Sequence, residues 1–299
     1  LAVKARHLGF FSNVNPWMTL SGFAGHGKHE DLDKFDQELL PISIHVIAGT
    51  PYDQVEKMMK QKKIIYPCIA KPTLWRTWRD VKKIYNTAQL KSYLKRMHED
   101  LLIQEFIDYP LEFGIFYFRI PGEKRWHITW IVEKKFMFLH GDGKHTMQRL
   151  VYHHPRAKYY YDQLRKEYAN KRSDILADGE ELQLNYIGNH VRWSVFYDVS
   201  HLVTPQLEMI IDAITQKVPW FYYGRYDIKA KSVEELYKGK FKIIELNGMW
   251  SLPTHIYDPK HKIWKAYKTL FQHRKIAYRI SKENKKRGYA FMSIKEIHK

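Results

Sequence analysis

One cysteine, Cys68, is all that the 299 residues contain, so no intrachain disulfide can form and a disulfide-stapled secreted scaffold is excluded. Its setting, Tyr66-Pro67-Cys68-Ile69-Ala70, reads as a buried strand, where apolar surroundings disfavour the thiolate a reactive cysteine needs. Apolar runs are short as well. None approaches the ~20 residues of a membrane helix. Acidic residues are scarce, 32 against 50 Lys and Arg, which gives a net charge of +18 at pH 7. Such an excess attracts nucleotides, nucleic acid, acidic lipid or acidic peptide. Much of it lies in short runs such as Lys60 to Lys63 and Lys285 to Arg287, ordinarily solvated faces, so nucleic acid is the weaker expectation. The chain begins at Leu1, as a processed or incomplete N-terminus would, and shows no signal-peptide pattern. A reducing, cytoplasmic setting is expected.

A hydrophobic share of 44% and a charged share of 27% describe a globular chain able to bury a large core. The order of elements predicts an α+β fold. Residues 1–50 read as a short N-terminal segment with one helix near Lys28 to Leu39. A helix over Asp53–Lys60 and a strand over Ile64–Ala70, ending at Lys71-Pro72, follow. Leu90, Tyr93, Leu94 and Met97 then share one helical face. Leu101–Ile107 reads as a strand. Glu112–Ile120, Trp126–Val132 and Lys135–Leu139 read as an antiparallel meander with turns at Pro121-Gly122 and Glu133-Lys134. Thr146 predicts a helix cap, and the stretch from Arg156 to Glu181 is polar and helix-prone. Thr204-Pro205 opens a helix with the stripe Leu207, Ile210, Ile211, Ile214 and Val218. Ser232 and Glu235 form a capping box between strands over Tyr222–Ala230 and Lys240–Leu246, and Gly239 ends that helix. A last helix is expected from Asp258-Pro259, burying Ile263, Tyr267, Leu270 and Phe271, ahead of a basic tail. The histidines lack metal-ligand spacing and read as surface residues.

Within this frame Arg225 and Asp227 share one strand face, and Glu245 and Asn247 share another. If the strands are neighbours the four converge. Carboxylate and amide oxygens are hard ligands for magnesium or manganese, and arginine offers fixed donors to phosphate or an oxyanion. The plain alternative is a pair of salt bridges at strand ends, worth ~0–1 kcal/mol.

Taken with the stretches Ile69-Ala70-Lys71-Pro72, Ile103-Gln104-Glu105-Phe106-Ile107, Glu112, Gly224-Arg225-Tyr226-Asp227 and Glu245-Leu246-Asn247, the chain resembles the ATP-grasp superfamily, in particular ligases related to D-alanine-D-alanine ligase, from about Lys28 to Pro259. The resemblance implies antiparallel sheets enclosing a nucleotide cleft, with residues 51–107 as the small subdomain, 108–275 as the large one and 276–299 as a basic C-terminal tail. It implies ATP and Mg2+ or Mn2+ as cofactors. Lys71 would reach phosphate, Gln104, Glu105, Phe106 and Ile107 would meet adenine, and Glu112 would bind ribose. Arg225 would stabilise an oxyanion and Asp227, Glu245 and Asn247 would hold metal. The activity implied is ligation: a carboxylate becomes an acyl phosphate that an amine or similar nucleophile attacks. The acid partner is not named by the sequence, and the basic balance fits an acidic peptide or polymer. Gly141-Asp142-Gly143 and Gly188-Asn189-His190-Val191-Arg192 resemble loops of a bacterial branch, which would put Asn189 and Arg192 on the substrate side; strand-edge hydrogen bonding explains them equally. Lys28 would be a further phosphate-side lysine in poorly matching surroundings.

The sequence departs from that pattern in one respect. Trp75 and Trp78 stand where the family loop over the phosphates has glycine, Trp193 stands at another such position, and Trp250 and Leu252 follow Asn247 in place of small and acidic residues. Glycine lets backbone approach a phosphate closely, which an indole prevents. Two expectations follow: a reshaped pocket in which tryptophans stack on a base or aromatic substrate and Arg76 and Arg79 replace backbone donors, or a non-catalytic ATP-grasp module kept for binding or structure.

Overall fold

The computed structural model describes residues 7, 9–22, 32, 34–73, 80–184, 194–218 and 221–293. As expected, the architecture mixes α and β elements around antiparallel sheets. Strands β1 (Ser43–Val46), β2 (Cys68–Pro72), β3 (Lys82–Ile84) and β4 (Leu101–Glu105) form a four-stranded sheet in the order β1-β4-β2-β3. Alternation sends Cys68, Ala70, Leu101 and Ile103 to one face, where Val55 and Met59 of α1 (Tyr52–Gln61) and Leu90 and Tyr93 of α2 (Thr87–Arg96) pack on them. Asn86 starts α2 by accepting the Gln89 N–H. The other face carries Ile69 opposite Gln104 and Lys71 opposite Leu102.

Beyond β5 (Leu111–Arg119) and β6 (Trp126–Lys135), strands β7 (Phe138–His140) and β8 (Glu181–Gln183) form a two-stranded sheet of their own among the described residues. Helices α3 (Met147–His153) and α4 (Tyr161–Glu167) share a core with them, through Met147, Val151, Leu164 and Leu139. Strands β9 (Val195–Asp198), β10 (Tyr223–Ala230) and β11 (Phe241–Asn247) complete a five-stranded sheet ordered β11-β10-β5-β6-β9. Helix α5 (Pro205–Gln216), capped by Thr204, seats Leu207 and Ile211 against Ile115, Ile131, Tyr226 and Ile228. The Tyr117 hydroxyl donates to Asp212 at 2.6 Å, and Thr215 and Tyr226 share a 2.9 Å hydrogen bond, so the interface is polar-locked as well as apolar. The short α6 (Val233–Tyr237) joins β10 to β11 from the Ser232 cap. Helix α7 (Ile263–Lys286) lays Ala277 and Ile280 on Phe116, Trp130 and Tyr223 at one end of the opposite sheet face.

The segment from Phe10 to Asn15 is clasped between α7 and β10. Asn13 donates to the Ser281 and Tyr289 carbonyls, Asn284 donates to those of Asn13 and Val14, and Ser281 donates to that of Phe10. The Asn15 amide donates to the Tyr223 carbonyl and accepts the Tyr222 and Tyr223 N–H groups.

Several expectations are corrected. There is no turn at Glu133-Lys134: β6 runs through to Lys135, because Lys134 continues the inward alternation of Trp130 and Val132 and finds buried carboxylates. Residues 138–140 accordingly leave the meander, and β9 takes the place beside β6. The strand at Cys68 starts later than expected, since Pro67 has no N–H for a ladder. Of the expected helix near Lys28 to Leu39, Leu32 is helical and Gln37–Leu39 form a separate 3-10 turn; residues 28–31 and 33 lie outside the described residues. The last helix starts at Ile263, not at Asp258-Pro259, and its faces are reversed: Ala266, Thr269, His273, Ala277, Ile280, Ser281 and Asn284 are buried, while Ile263, Tyr267 and Phe271 are exposed. It continues to Lys286, so residues 276–286 are packed helix rather than tail. His255 and His273 are buried, not surface residues.

Candidate active site

The site gathers on the face of the five-stranded sheet that α7 covers at one end. Antiparallel register sets Arg225 opposite Asn247 and Asp227 opposite Glu245 across β10 and β11, with Gly114 beside Asp227 and Glu112 beside Lys229 on β5. The four residues therefore meet on neighbouring strands, as their spacing predicts. Gly114 makes the room: a Cβ there would lie 3.0 Å from Val132 and 3.2 Å from the Arg225 side chain. Gly224 is equally constrained, since a Cβ would fall 2.2 Å from the Asn247 carbonyl oxygen.

Asp227, almost fully buried, sits at the centre. Arg225 grips it with two bonds, Nε to Oδ1 at 2.7 Å and Nη2 to Oδ2 at 3.0 Å. Asn247 Nδ2 donates to Oδ2 at 3.2 Å and Lys134 Nζ lies 3.1 Å from the same oxygen. Lys134 also reaches Glu112 Oε1 at 3.0 Å, and its side chain is 2% exposed. Burial favours a neutral Asp227, but Arg225 and Lys134 reverse this and hold its carboxyl well below the usual range. Burial likewise opposes charge on Lys134 and Arg225; Asp227 leads the carboxylates that more than offset it, so both stay protonated. Bidentate and charge-assisted bonds in a dry setting make the network rigid.

The donor set of Asp227, Glu245 and Asn247, two carboxylates and an amide oxygen on facing strands, has the chemistry of a hard divalent cation site. Here Arg225 and Lys134 supply the positive charge around Asp227. Asp227, Glu245 and Asn247 are the residues that would hold such an ion, which would supply charge neutralisation for a phosphate.

A second group of cations borders the first. Lys229 Nζ donates to the Ile107 carbonyl at 3.0 Å and lies 5.3 Å from the Phe106 ring centre; Lys83 Nζ lies 3.5 Å from that ring. Burial lowers the pKa of both lysines. Gln104, Lys71 and Glu112 are buried. Glu105 faces elsewhere: its side chain accepts the Ile42 N–H at 2.9 Å and its own N–H donates to the Ile42 carbonyl at 2.8 Å. A groove of about 600 Å³ opens along the free face of the small sheet, between Ile69 and Lys83 on one side and Tyr168, Leu182 and Leu184 on the other.

Lys134, Lys229 and Lys83 had no place in the reading of the sequence. Extending the period-two alternation of β6 past Val132 would have put Lys134 on the site face. Asp142 forms a turn, accepting the Lys144 and His145 N–H groups. Trp250 stands against Phe11 with Arg274 over its ring. Asn189, Arg192, Lys28, Trp75, Arg76, Trp78, Arg79 and Trp193 lie outside the described residues.

No protein-family model matches the chain, and no curated protein matches it. Solved structures do. D-alanine-D-alanine ligase from Bacillus anthracis is 14% identical over 88% of this chain and 68% of its own, with a TM-score of 0.47. VanG D-Ala:D-Ser ligase from Enterococcus faecalis is 12% identical over 85% and 61%, at 0.49. A bifunctional glutathione synthetase from Pasteurella multocida is 15% identical over 86% and 38%, at 0.40. The chain spans 38% to 68% of the length of these solved chains.

Proposed function

We propose that the chain is an ATP-dependent ligase that activates a substrate carboxylate as an acyl phosphate for attack by an amine or similar nucleophile. The observation that carries this reading is the register of Arg225 and Asp227 against Asn247 and Glu245 on a sheet face shared with buried Glu112 and Lys134. Order along the chain supports it further, with Lys71 and Gln104 on the smaller sheet and the segment to Ile107 following from its strand end. In this reading Lys71 binds phosphate, the Gln104 to Ile107 backbone meets adenine and Glu112 binds ribose. The γ-phosphoryl group passes to the substrate carboxylate, and the nucleophile then expels phosphate. Arg225, held protonated, presents fixed donors to the oxyanion. Asp227, Glu245 and Asn247 are the residues to hold magnesium or manganese, which would neutralise phosphate charge; positioning and neutralisation do most of the work in such transfer. Asn189 and Arg192 would line the substrate side. An acidic peptide or polymer as the acid substrate is favoured by the +18 charge.

A second reading, a non-catalytic module that binds without turnover, is favoured by the engagement of both Asp227 oxygens with protein cations. Thermal melting with ATP and magnesium tests the pair. Ligand at a hundredfold its Kd stabilises a folded protein by about 2.7 kcal/mol. A shift accompanied by phosphate release in the presence of acid and amine substrates is expected; a shift with no phosphate release, or no shift at millimolar nucleotide, overturns the ligase reading and supports the module.

A further inference from the structure

Helix α7 turns an apolar ridge outward. Ile263, Trp264, Tyr267 and Phe271 are 63%, 77%, 62% and 58% exposed, and their spacing of i, i+1, i+4 and i+8 puts them on one face of the helix. Scattered exposed apolar residues are ordinary, but four on one helical face, three of them aromatic, mark an interaction surface. The opposite face, with Ala266, Thr269, His273 and Ala277, is the one committed to the fold. Stability of the protein therefore does not account for the outer four.

Charge indicates what covers the ridge. From Pro259 to Lys282 the chain has eight Lys and Arg residues and no Asp or Glu. Lys265, Lys268 and Lys275 are exposed around the aromatic residues, and Lys275 Nζ sits 4.5 Å from the Phe271 ring centre. Lys265 is paired with Asp198 and Arg279 with Glu123, but a second copy would still bring Lys268 and Lys275 face to face with their like. A convex ridge also lacks walls of its own, so a protein partner would have to supply a matching groove. A lipid surface needs none: tryptophan and tyrosine settle at headgroup level, and lysines bury their stems while their ammonium groups meet anionic headgroups.

We propose that the outward face of α7 docks the protein on an anionic membrane surface, peripherally. No helix among the described residues is long and apolar enough to cross a membrane, so Trp264, Tyr267 and Phe271 provide shallow insertion while lysines provide attraction. This surface is separate from the Asp227 cluster and does not depend on the ligase reading.

The test is co-sedimentation of the full chain with vesicles of phosphatidylcholine alone or mixed with phosphatidylserine. Binding only to the mixed vesicles, weakening as salt rises, is expected. Trp264→Ser with Phe271→Ser should abolish it. Lys268→Gln with Lys275→Gln should weaken it by on the order of tenfold. Melting temperatures close to the parent's would show that the variants fold. A blue shift in emission on binding, lost in Trp264→Phe, places that indole at the interface. Failure to bind mixed vesicles, or binding unchanged in the Trp264 and Phe271 double variant, overturns the proposal. So does sedimentation equilibrium showing a dimer that the double variant dissolves, which assigns the face to a second copy. Retention by polyglutamate or a single-stranded oligonucleotide through these residues, without vesicle binding, assigns it to an acidic polymer.

Discussion

At the level of single side chains, Asp227 is the residue on which most else depends. Asp227 and Glu112 share the buried Lys134, so removing that lysine leaves two buried carboxylates one cation short, at a cost of about 3–5 kcal/mol. Lys134→Met is therefore expected to lower stability by that order in urea unfolding, and Lys134→Arg to recover only part of it. Asp227→Asn should abolish any magnesium-dependent share of an ATP-induced melting shift while leaving the magnesium-independent share. Two buried histidines set the response to acid. Burial lowers His255 to about 4 and His273 to about 3 from an ordinary value of 6.5. The unfolded chain binds these protons more readily, so the folded state loses stability as pH falls from about 6.5 towards those lower values, and neither residue contributes a penalty above that window. Melting temperature should thus drop through that range, less steeply in His273→Gln. Such behaviour was hidden in the sequence, where a histidine on a helix gives no sign of which side is covered.

Among the elements, those with local signals were legible and those decided by distant partners were not. Thr204-Pro205 states where α5 begins, and Leu207 and Ile211 state which side is buried. Thr204→Ala should cost about 1 kcal/mol in chemical denaturation, the usual worth of such a cap. Ser232 and Gly239 bound α6 just as clearly, which is why the Arg225, Asp227, Glu245 and Asn247 cluster could be foreseen. Lys134 could not be read by the same means. Two adjacent lysines after a glutamate look like a turn, and only Glu112 and Asp227, far away in sequence, make Lys134 a buried strand residue. Helix α7 misled in the opposite direction. Its apolar stripe suggests an inner face, yet small and polar residues, Ala277, Ser281 and Asn284, lie against the fold because they alone allow close approach of the clasped N-terminal segment.

For the molecule as a whole, a charge of +18 means that the compact state works against its own repulsion. Raising salt from low ionic strength should increase the melting temperature by screening surface cations, while the buried Asp227–Lys134 pair should respond little. The clasp around Asn13 and Asn15 has a different consequence, for the order in which the chain assembles. Its bonds span sequence separations of 207 to 276 residues. Closing a loop of that length costs about 5 kcal/mol of chain entropy, a cost repaid only once β10 and α7 already stand side by side. The clasp is thus the latch that closes last and opens first. In native-state hydrogen exchange, Asn15→Ala should release the amides of Tyr222 and Tyr223 together with the last turns of α7 as one cooperative unit, while those of α5 keep the protection of the global core.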